Sequence, residues 1–456
     1  MHISTDTTNE ELAEPMTIGA KAYTDGEFAR AERDRLWRKT WQHACRVEEI
    51  PNIGNYTTYD ILDDSILIVR TSADKIVAHH NVCQHRGRRL VDAPNGAQHA
   101  CGKAKQFVCG FHGWRWNLDG ENIYVLDKDD WEGALTDERI HLKSVSVDTW
   151  GGWVWINMDL NCEPLSVYLQ PFAEMLEPFE FQEMRYRWRQ WLYFDCNWKT
   201  ALEAFIESYH VQGTHPQLLK YADFYTWSKA VGLHGIQGFD TRAKEHDAAV
   251  SNTLMRPGVG DDPRVSAAAL QREIMETVNG STTQTLVDAA ARLVDELPAG
   301  TASAQVMAHF LDSARRDDAT RGVIWPTVDP EHYAKTGLGW HVFPNMSILH
   351  GYTFALFYRS RPNGYDPNKC IFEVAVMERY PPGKEPKTEW IQAEPTVENW
   401  RSVLVQDFAN MSAVQKGMKS LGFSGALPNP KQERAITNFH RNLAEYMGAG
   451  APLPLT

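Results

Sequence analysis

Hydrophobic positions recur at two different spacings along the chain, and the first part of the chain is dominated by strand patterns. Before these strands, apolar side chains at 26–42 recur at helical spacing among arginines and glutamates, which predicts an amphipathic helix. Apolar runs at 65–70 and 75–78, separated by a Ser-Ala-Asp turn, predict a β-hairpin. The aromatic segment 150–156, which two glycines bend, predicts a further strand.

The second part of the chain mixes both spacings. Helical spacing dominates near 195–213 and across 264–315, where Gly280 and the Pro-Ala-Gly turn at 298–300 interrupt it. The later segments are predicted as strands at 341–360 and 370–379 and as helices at 396–421 and 430–447. Strands followed by segregated helices are typical of an α+β fold.

Prolines at positions 164 and 171 mark a linker between the two parts. We therefore expect an N-terminal arm and helix over residues 1–40 and an antiparallel β domain over 41–160. The rest, 161–456, should form a larger α+β domain with a helical insertion at about 250–325. A chain of 456 residues is long enough for these domains to have separate cores.

Charge and cysteine usage narrow the class of protein. The formal net charge is −13, which argues against nucleic acid or an anionic membrane as a partner, since both require clustered basic residues. We see no signal peptide and no apolar run long enough for a membrane span, so a cytoplasmic location is the default expectation. The seven scattered cysteines do not resemble a secreted disulfide framework.

Two short loops each contain one cysteine and one histidine. Cys83 and His85 lie in the first, and Cys109 and His112 lie in the second, with 23 residues between His85 and Cys109. Two thiolates on one iron and two imidazoles on the other are the ligands of a Rieske [2Fe–2S] centre. Zinc also accepts this donor set, but zinc fingers usually group cysteine with cysteine. Cys101 has no histidine at the matching offset, so we expect it to be a buried or loop thiol.

A second candidate metal site lies in the second part of the chain. Glu203, Glu207 and His210 would share one face of a regular helix, while His215 would not. Gly213 can end the helix and Pro216 disfavours helical backbone at the preceding residue, so the chain can turn and bring the two histidines together. Two histidines and a carboxylate from elsewhere would form the facial triad of non-haem Fe(II) oxygenases.

The chain resembles the α subunits of the aromatic-ring-hydroxylating Rieske oxygenases, the family of naphthalene dioxygenase. The resemblance rests on Cys83-Gln84-His85-Arg86-Gly87, on Cys109-Gly110-Phe111-His112-Gly113-Trp114 and on the segment 197–215. It implies a Rieske domain followed by a catalytic domain with a helix-grip (START-like) antiparallel sheet. It also implies that Asp407, within the matching segment 406–415, is the third iron ligand. The span between the two boxes is longer than usual, so residues 95–105 should be an insertion.

The resemblance further implies a terminal oxygenase that uses O₂ and electrons from a separate reductase, possibly through a ferredoxin. The chain has no dinucleotide-binding Gly-x-Gly-x-x-Gly after a strand, so NAD(P)H should act only through that reductase. The family implies a homotrimer (α3) or an α3β3 assembly with a small β subunit. Glu207 occupies the position of the aspartate that couples the two metal sites, and Glu203 is a weaker candidate for such a role.

The substrate is expected to be hydrophobic and aromatic, as in the catabolism of aromatic hydrocarbons, with either one or two hydroxylations. The candidate pocket residues are Phe205, Ile206, Val211, Phe343, Asn345, Leu349, Phe354 and Phe408. Ala204 stands where naphthalene-type dioxygenases have an asparagine, which leaves monooxygenation or demethylation of an aryl ether open. The 16 tryptophans and Glu207 make a quaternary ammonium substrate the alternative. An electron-transfer iron–sulfur protein is the alternative from a different class.

Overall fold

A computed structural model of the chain describes residues 12, 14–94, 97–218, 225–239 and 262–455. The chain forms two compact units, one of residues Arg30–Tyr168 and one of Met1–Ala29 together with Leu169–Thr456. The unit boundary thus lies eight residues after the expected division at residue 160. The expected N-terminal segment 1–40 is divided between the units, and its residues 1–11 and 13 lie outside the described part.

The smaller unit contains a seven-stranded antiparallel sheet and a separate three-stranded sheet. In chain order its strands are β1 (Gln42–Arg46), β2 (Asn55–Ile61), β3 (Asp64–Arg70), β4 (Ile76–His80), β5 (Cys101–Lys103), β6 (Phe107–Val108), β7 (Arg115–Trp116), β8 (Asn122–Tyr124), β9 (Ser144–Trp150) and β10 (Trp153–Asn157). The seven strands are ordered β1-β10-β9-β4-β3-β2-β5, and the three are ordered β6-β7-β8.

The predicted hairpin of this unit is present, and the single strand predicted at 150–156 instead spans the turn between two paired strands. Strands β3 and β4 pair antiparallel from Ile66 opposite His80 to Arg70 opposite Ile76, which confirms the predicted hairpin. Strands β9 and β10 are joined by Gly151 and Gly152, whose φ angles are +61° and +82°. A two-residue hairpin turn with positive φ at both positions strongly favours glycine, and its twist matches that of the strands.

Two other local predictions in this unit are wrong. The helix predicted at 26–42 consists of an α-helix, Gly26–Glu32, and a π-helical turn, Arg33–Trp37, and residue 42 already begins β1. Side chains of Thr40 and Gln42 bond the carbonyl groups of Leu36 and Trp37 and so end the helix. Cys101 is exposed on the edge strand β5, within the expected insertion, of which residues 95–96 lie outside the described part.

The larger unit contains an eight-stranded sheet that is antiparallel except for the pairing of β11 with β18. Its strands are β11 (Arg185–Phe194), β12 (Thr226–Val231), β13 (His234–Phe239), β14 (Gly339–Val342), β15 (Met346–His350), β16 (Phe354–Pro362), β17 (Cys370–Glu378) and β18 (Ile391–Gln392). They are ordered β12-β13-β14-β15-β16-β17-β11-β18. The predicted strands at 341–360 and 370–379 are the central members of this sheet, so every side chain of β17 except the last is buried.

Helices complete the larger unit. The main ones are α1 (Trp198–Glu203), α2 (Val211–Thr214), α3 (Pro263–Thr277), α4 (Gln284–Ala291), α5 (Ser303–Thr320), α6 (Val397–Gly417) and α7 (Arg434–Met447). Helices α4 and α5 bury an apolar cluster, to which Leu286, Val306 and Phe310 belong. Helix α7 lies so close to β13 that a Cβ atom at Gly235 would come within 2.6 Å of the Ala435 side chain.

The predicted α+β class, with an antiparallel β domain followed by a sheet with helices around it, is confirmed. The interruption of the helical segment near Gly280 and residues 298–300 is also as predicted, because α3 ends before the first and α5 begins after the second. Among the described residues, no helix is both long enough and apolar enough to cross a lipid bilayer.

Candidate functional site

The two Cys-His loops of the smaller unit have the same backbone conformation. In each loop the N–H group of a glycine donates to the carbonyl of the cysteine four residues before it, with Gly87 bonding Cys83 and Gly113 bonding Cys109 at 3.0 Å in both cases. The φ angles of these glycines are +77° and +71°. Positive φ at both positions is readily adopted by glycine, which lets each short loop fold back around its cysteine.

The four predicted cluster ligands form two pairs. The Nδ1 atoms of His85 and His112 are 3.2 Å apart, and the thiols of Cys83 and Cys109 are hydrogen-bonded to each other. In the described part of the chain, no three of these four donors lie within 4.8 Å of one another. A tetrahedral zinc ion would hold all its donors within about 4 Å of each other. Separate thiol and imidazole pairs therefore fit two irons, each with its own ligand pair, better than a single zinc ion.

The protein surroundings favour the metal-binding form of Cys109 and of His85, but not that of Cys83. Burial raises the pKa of the Cys83 thiol, against hydrogen bonds from backbone N–H groups. At Cys109 burial acts in the same direction, but the N–H groups of Phe111 and His112 prevail and lower the pKa of that thiol. Burial also lowers the pKa of His85, with the neighbouring His112 adding to the effect. Stabilised thiolates and neutral imidazoles are the forms that bind iron.

The histidine pair lies at the edge of its unit and is enclosed by aromatic rings. His85 stacks on Trp114 with ring centroids 4.9 Å apart, and Trp131 approaches its edge. Phe111 lies 3.9 Å from the ring of His112 and is 57% exposed. A centre held here would have its histidine side close to the surface of the unit, where electrons could enter or leave.

In the larger unit, the predicted continuous helix at 195–213 is interrupted. Helix α1 ends at Glu203, and α2 begins only at Val211. The carboxylate of Glu207 accepts a hydrogen bond from the backbone N–H of His210 at 3.0 Å, and Ser347 donates to the carbonyl of Phe205. Such side-chain bonds compete with helical ones. The expectation that Glu203, Glu207 and His210 share a helix face is therefore wrong.

This break brings the predicted iron ligands together. His210 and His215 flank α2, and Asp407 lies on α6 beyond the kink at Arg401. The Nε2 atoms of His210 and His215 are 3.5 Å and 2.9 Å from Oδ1 of Asp407. All three donor atoms lie within 4.8 Å of one another, and His215 and Asp407 are buried. This donor set can hold a divalent iron ion and leave other positions free.

Each histidine ring also has a hydrogen-bond partner at Nδ1, the nitrogen that does not face Asp407. Nδ1 of His210 is 2.6 Å from Oε1 of Glu207, and Nδ1 of His215 is 2.8 Å from Oε1 of Gln406. An outer acceptor keeps the proton on Nδ1, which leaves Nε2 free to bind metal. No role was assigned to Gln406 from the sequence. Its position next to the predicted ligand Asp407 was the one signal in the sequence that could have indicated a role.

Negative charge surrounds His210. Burial alone would lower its pKa, but the charge and hydrogen bond of Glu207, together with Asp407, raise the pKa of His210 to about 9. This effect shows that the site favours a positive charge at His210. The same field would stabilise a bound cation.

Glu203 belongs to a different cluster, so the structure does not support its predicted place beside the iron ligands. Its carboxylate accepts a hydrogen bond from the Tyr23 hydroxyl at 3.0 Å and lies 2.6 Å from Nε2 of His440. Tyr23 and His440 are both buried. Burial raises the pKa of the nearby Glu433 to about 7, and the charges of Glu207 and Glu203 add to this shift. Sequence reasoning did not identify Tyr23, Glu433 or His440.

Four of the eight predicted pocket residues lie in the segments that supply the triad. Phe205 stacks on Tyr358 with ring centroids 4.3 Å apart, and Phe408 directly follows Asp407. Burial raises the pKa of the Tyr358 hydroxyl, and the charge of Asp407 adds to the effect, which places Tyr358 near the triad. Val211 begins α2 next to His210, and Ile206 is buried one residue after Phe205.

The other four predicted pocket residues are dispersed. Phe343 packs against Phe439 and Tyr446, and the amide of Asn345 donates to a backbone carbonyl of β16. Phe354 packs against the apolar cluster of α4 and α5, while Leu349 lies half-buried on β15. The eight residues therefore do not form one pocket lining, because several of them stabilise the core of the sheet.

Comparison with known families gives two matches. Residues 179–449 match the model of the ring hydroxylating alpha subunit (catalytic domain), and residues 40–130 match that of the Rieske [2Fe-2S] domain. The first match covers more than half of the chain and includes all three residues of the triad. The second includes all four residues of the two Cys-His loops.

Individual relatives are similar over part of their length. The chain is 30% identical over 199 residues to the glycine betaine monooxygenase oxygenase subunit of Pseudomonas aeruginosa, covering 43% of this chain and 44% of the relative. It is 30% identical over 214 residues to the carnitine monooxygenase oxygenase subunit of Escherichia coli, covering 44% and 53%. The chain thus spans about half the length of the curated relatives it matches.

A solved structure extends the similarity of fold to nearly the whole chain. A quaternary ammonium Rieske monooxygenase in complex with L-carnitine superposes with a TM-score of 0.63, over 98% of this chain and 99% of the other. The sequence identity in that superposition is 17%, so it establishes the fold alone.

Proposed function

Because this chain belongs to the ring-hydroxylating α-subunit family, we propose that it is the terminal oxygenase component of a multicomponent Rieske oxygenase. The observation that carries the proposal is the convergence of His210, His215 and Asp407 on one point, in a chain that also holds paired thiols and paired imidazoles. The cofactors of the family are a Rieske [2Fe–2S] cluster and one mononuclear iron. Cys83, His85, Cys109 and His112 would hold the cluster.

When bound, the cluster supplies single electrons and the mononuclear iron supplies the chemistry that activates O₂. His210, His215 and Asp407 would hold such an ion with one donor atom each, and its remaining coordination positions would be open to O₂ and water. Glu207 and Gln406 hold the two imidazole rings in place through their Nδ1 atoms. The buried Phe205 and Tyr358 keep water from one side of the site.

Glu207 is the residue that we assign to the coupling of the two metal centres. Within the chain its carboxylate bonds both Nδ1 and the backbone N–H of His210. A carboxylate has about four acceptor positions, so it can accept a further hydrogen bond from a cluster histidine of a neighbouring subunit. This role requires an assembly in which the smaller unit of one chain meets the larger unit of another, as in a homotrimer with or without a small β subunit.

We favour a quaternary ammonium compound as the substrate class, with monooxygenation as the reaction. Two relatives at 30% identity bear the names of glycine betaine and carnitine monooxygenases. Aromatic faces near the triad, such as those of Phe205 and Tyr358, can bind a quaternary ammonium group by cation–π attraction. The carboxylates of Glu207 and Asp407 add negative charge on that side.

An aromatic substrate is the second candidate. Phe194, Phe205, Tyr358, Phe372 and Phe408 form a continuous aromatic cluster next to Asp407. A planar hydrocarbon could pack against such faces by offset stacking. Electrons for either reaction would come from NADH or NADPH through a separate cytoplasmic reductase, with or without a ferredoxin.

The substrate class can be tested with purified enzyme, an unrelated electron-donating reductase and NADH. Quaternary ammonium compounds such as glycine betaine and carnitine should stimulate O₂ uptake and yield a hydroxylated or dealkylated product. Naphthalene and related arenes should then give little stimulation. The reverse pattern would favour the aromatic alternative, and protein without bound iron would contradict the oxygenase proposal itself.

The coupling role of Glu207 can be tested with Glu207→Gln. This variant should keep both metal centres but lose most product formation. The reason is that an amide has one accepting oxygen and a donating NH₂ group, whereas the carboxylate has two accepting oxygens. Reduction of the mononuclear site by the cluster should slow at least tenfold in single-turnover experiments. The exposed Glu398 provides a matched control, since Glu398→Gln should behave as the wild type. Full coupled activity in Glu207→Gln would refute the assignment.

A further inference from the structure

The two histidines of the triad have chemically different outer partners. The ring of His210 is bonded to a carboxylate, which can only accept, so its Nδ1 must carry the proton. The ring of His215 is bonded to the side-chain amide of Gln406, which has an accepting oxygen on one side and a donating NH₂ group on the other. An amide can therefore stabilise either ring tautomer, depending on which end faces the ring.

A second glutamine is coupled to this choice of orientation. The NH₂ group of Gln217 donates to Oε1 of Gln406 at 2.8 Å, and Nε2 of Gln406 lies 3.4 Å from Oε1 of Gln217. If the Gln406 amide alone turned over, its NH₂ group would face that of Gln217 and the hydrogen bond between them would be lost, so the two amides can turn over only together. In this structure the pair holds Oε1 of Gln406 towards His215.

We propose that Gln406 is a positioning residue for the mononuclear iron and that Gln217 fixes its orientation, so that His215 keeps its proton on Nδ1 and presents Nε2 to the metal. The inference rests on the proposed function, because it assumes that the triad binds iron. Gln217 follows the ligand His215 by two residues and Gln406 precedes the ligand Asp407 by one, so the pair also links the two chain segments that supply ligands.

The accepting oxygen of Gln406 carries the inference, and the amide supplies it without adding charge. Glu207 and Asp407 already provide two negative charges near a divalent ion. An amide at position 406 orients His215 without a third charge. Outer partners of metal-bound histidines typically change metal affinity by about 10–100-fold when they are removed.

The test measures binding of Fe(II) at the mononuclear site in protein whose [2Fe–2S] cluster is intact. The mononuclear iron is removed with a chelator and returned by anaerobic titration, and the EPR spectrum of the Fe(II)–nitric oxide complex is recorded. Gln406→Leu should lose about 10–100-fold in Fe(II) affinity and change the symmetry of this EPR signal. Gln406→Glu keeps the acceptor and should restore the affinity to within about threefold of the wild type.

Two further variants complete the set. Gln217→Leu leaves Oε1 of Gln406 in place but removes the bond that orients it, so it should lose affinity to a smaller extent than Gln406→Leu. Asn410 is exposed one helical turn after Gln406, and its amide donates to the backbone carbonyl of that residue at 3.1 Å. Asn410→Leu should therefore bind Fe(II) as the wild type does, and the urea-unfolding transition of the larger unit in each variant reports that this unit has folded.

The possible outcomes separate this inference from the proposed function. If the wild type binds Fe(II) and Gln406→Leu binds it equally well with the same EPR signal, the positioning role is refuted and the oxygenase proposal stands. If Gln406→Glu loses as much affinity as Gln406→Leu, an accepting oxygen is not what the site requires, and the inference is likewise refuted. If the wild type itself binds no Fe(II), both are refuted.

Discussion

At the scale of single residues, negative charge in the candidate iron site changes the protonation of a ligand. This ligand is His210, because Glu207 and Asp407 raise its pKa from 6.5 to about 9 against the effect of burial. Metal binding needs the neutral imidazole, so a proton must leave this ring when iron binds. The free energy of metal binding is thereby linked to pH.

We predict that Fe(II) affinity at this site rises with pH. Below a pH of about 9 the metal-free ring is protonated, so each bound ion displaces one proton and the affinity should increase about tenfold per pH unit. Above that pH the dependence should level off. Anaerobic titrations at several pH values measure this, and Glu207→Gln should move the plateau to lower pH. An affinity that does not change with pH would contradict the assigned pKa of His210.

At the scale of elements, the central strands of the larger sheet contain a buried ionic group. Glu373 on β17 bonds Arg359 and Arg361 on β16 at 2.6 Å and 3.0 Å, and all three side chains are buried. Burial alone would raise the pKa of Glu373, but the two guanidinium groups lower it far below its usual range. The carboxylate thus stays charged in the folded protein.

Replacing Glu373 by alanine should strongly destabilise the larger unit. The variant would leave two buried guanidinium groups without their carboxylate, at a cost of about 3–5 kcal/mol. Urea denaturation measures this loss, with the exposed Glu385→Ala as a control that should not change the midpoint. Because the pKa of Glu373 is lowered on folding, its contribution is present above its unfolded pKa of about 4.5 and is lost as pH falls below that value.

Helix α1 depends on a single asparagine at its start. The side chain of Asn197 accepts from the N–H of Lys199 and donates to the carbonyl groups of Tyr23 and Pro367, and its own N–H donates to Gln415 on α6. The segment that contains His210 follows this helix directly. The cap therefore anchors the iron-binding segment to three distant parts of the larger unit.

Asn197→Ala should destabilise the protein by about 1–2 kcal/mol from the lost cap, and by more if the buried carbonyl groups stay unpaired. Equilibrium denaturation gives the stability, and an iron titration shows whether the triad is disturbed as well. The exposed Asn161, replaced by alanine, should leave both quantities unchanged. An Asn197→Ala protein as stable as the wild type would show that the cap is dispensable.

At the scale of the whole molecule, the two metal centres belong to two compact units with separate cores. The paired cysteines are part of the apolar core of the smaller unit, which includes Leu67, Trp116 and Ile140. The triad is built entirely from segments of the larger unit. Each centre should therefore assemble without the other.

Loss of one centre should leave the other occupied. The wild type should contain about three iron atoms per chain, two in the cluster and one in the triad. A Cys83→Ala, Cys109→Ala double variant should lose the visible absorption of the cluster and retain about one iron. Conversely, His215→Ala should keep the colour and about two irons, as measured by iron analysis. Complete loss of iron in either variant would contradict independent assembly.

The amino-acid sequence by itself determined the chemistry of the donors and the class of the fold. Cysteine, histidine and aspartate at these spacings specify which metals can bind, because ligand type is a property of the side chain. The hairpin of β3 and β4 follows from apolar runs on either side of a short turn, which act within a few residues, while the two glycines at 151–152 indicated a bend but not the pairing of β9 with β10.

Only the tertiary structure decided which side chains support the donors. The break after Glu203, the pairing of that residue with Tyr23 and His440, and the bond from Gln406 to His215 all depend on contacts between remote segments. His215 and Gln406 are 191 positions apart, so no local pattern relates them. Predicted pocket residues such as Phe343 became core for the same reason, since burial depends on which elements pack together in space.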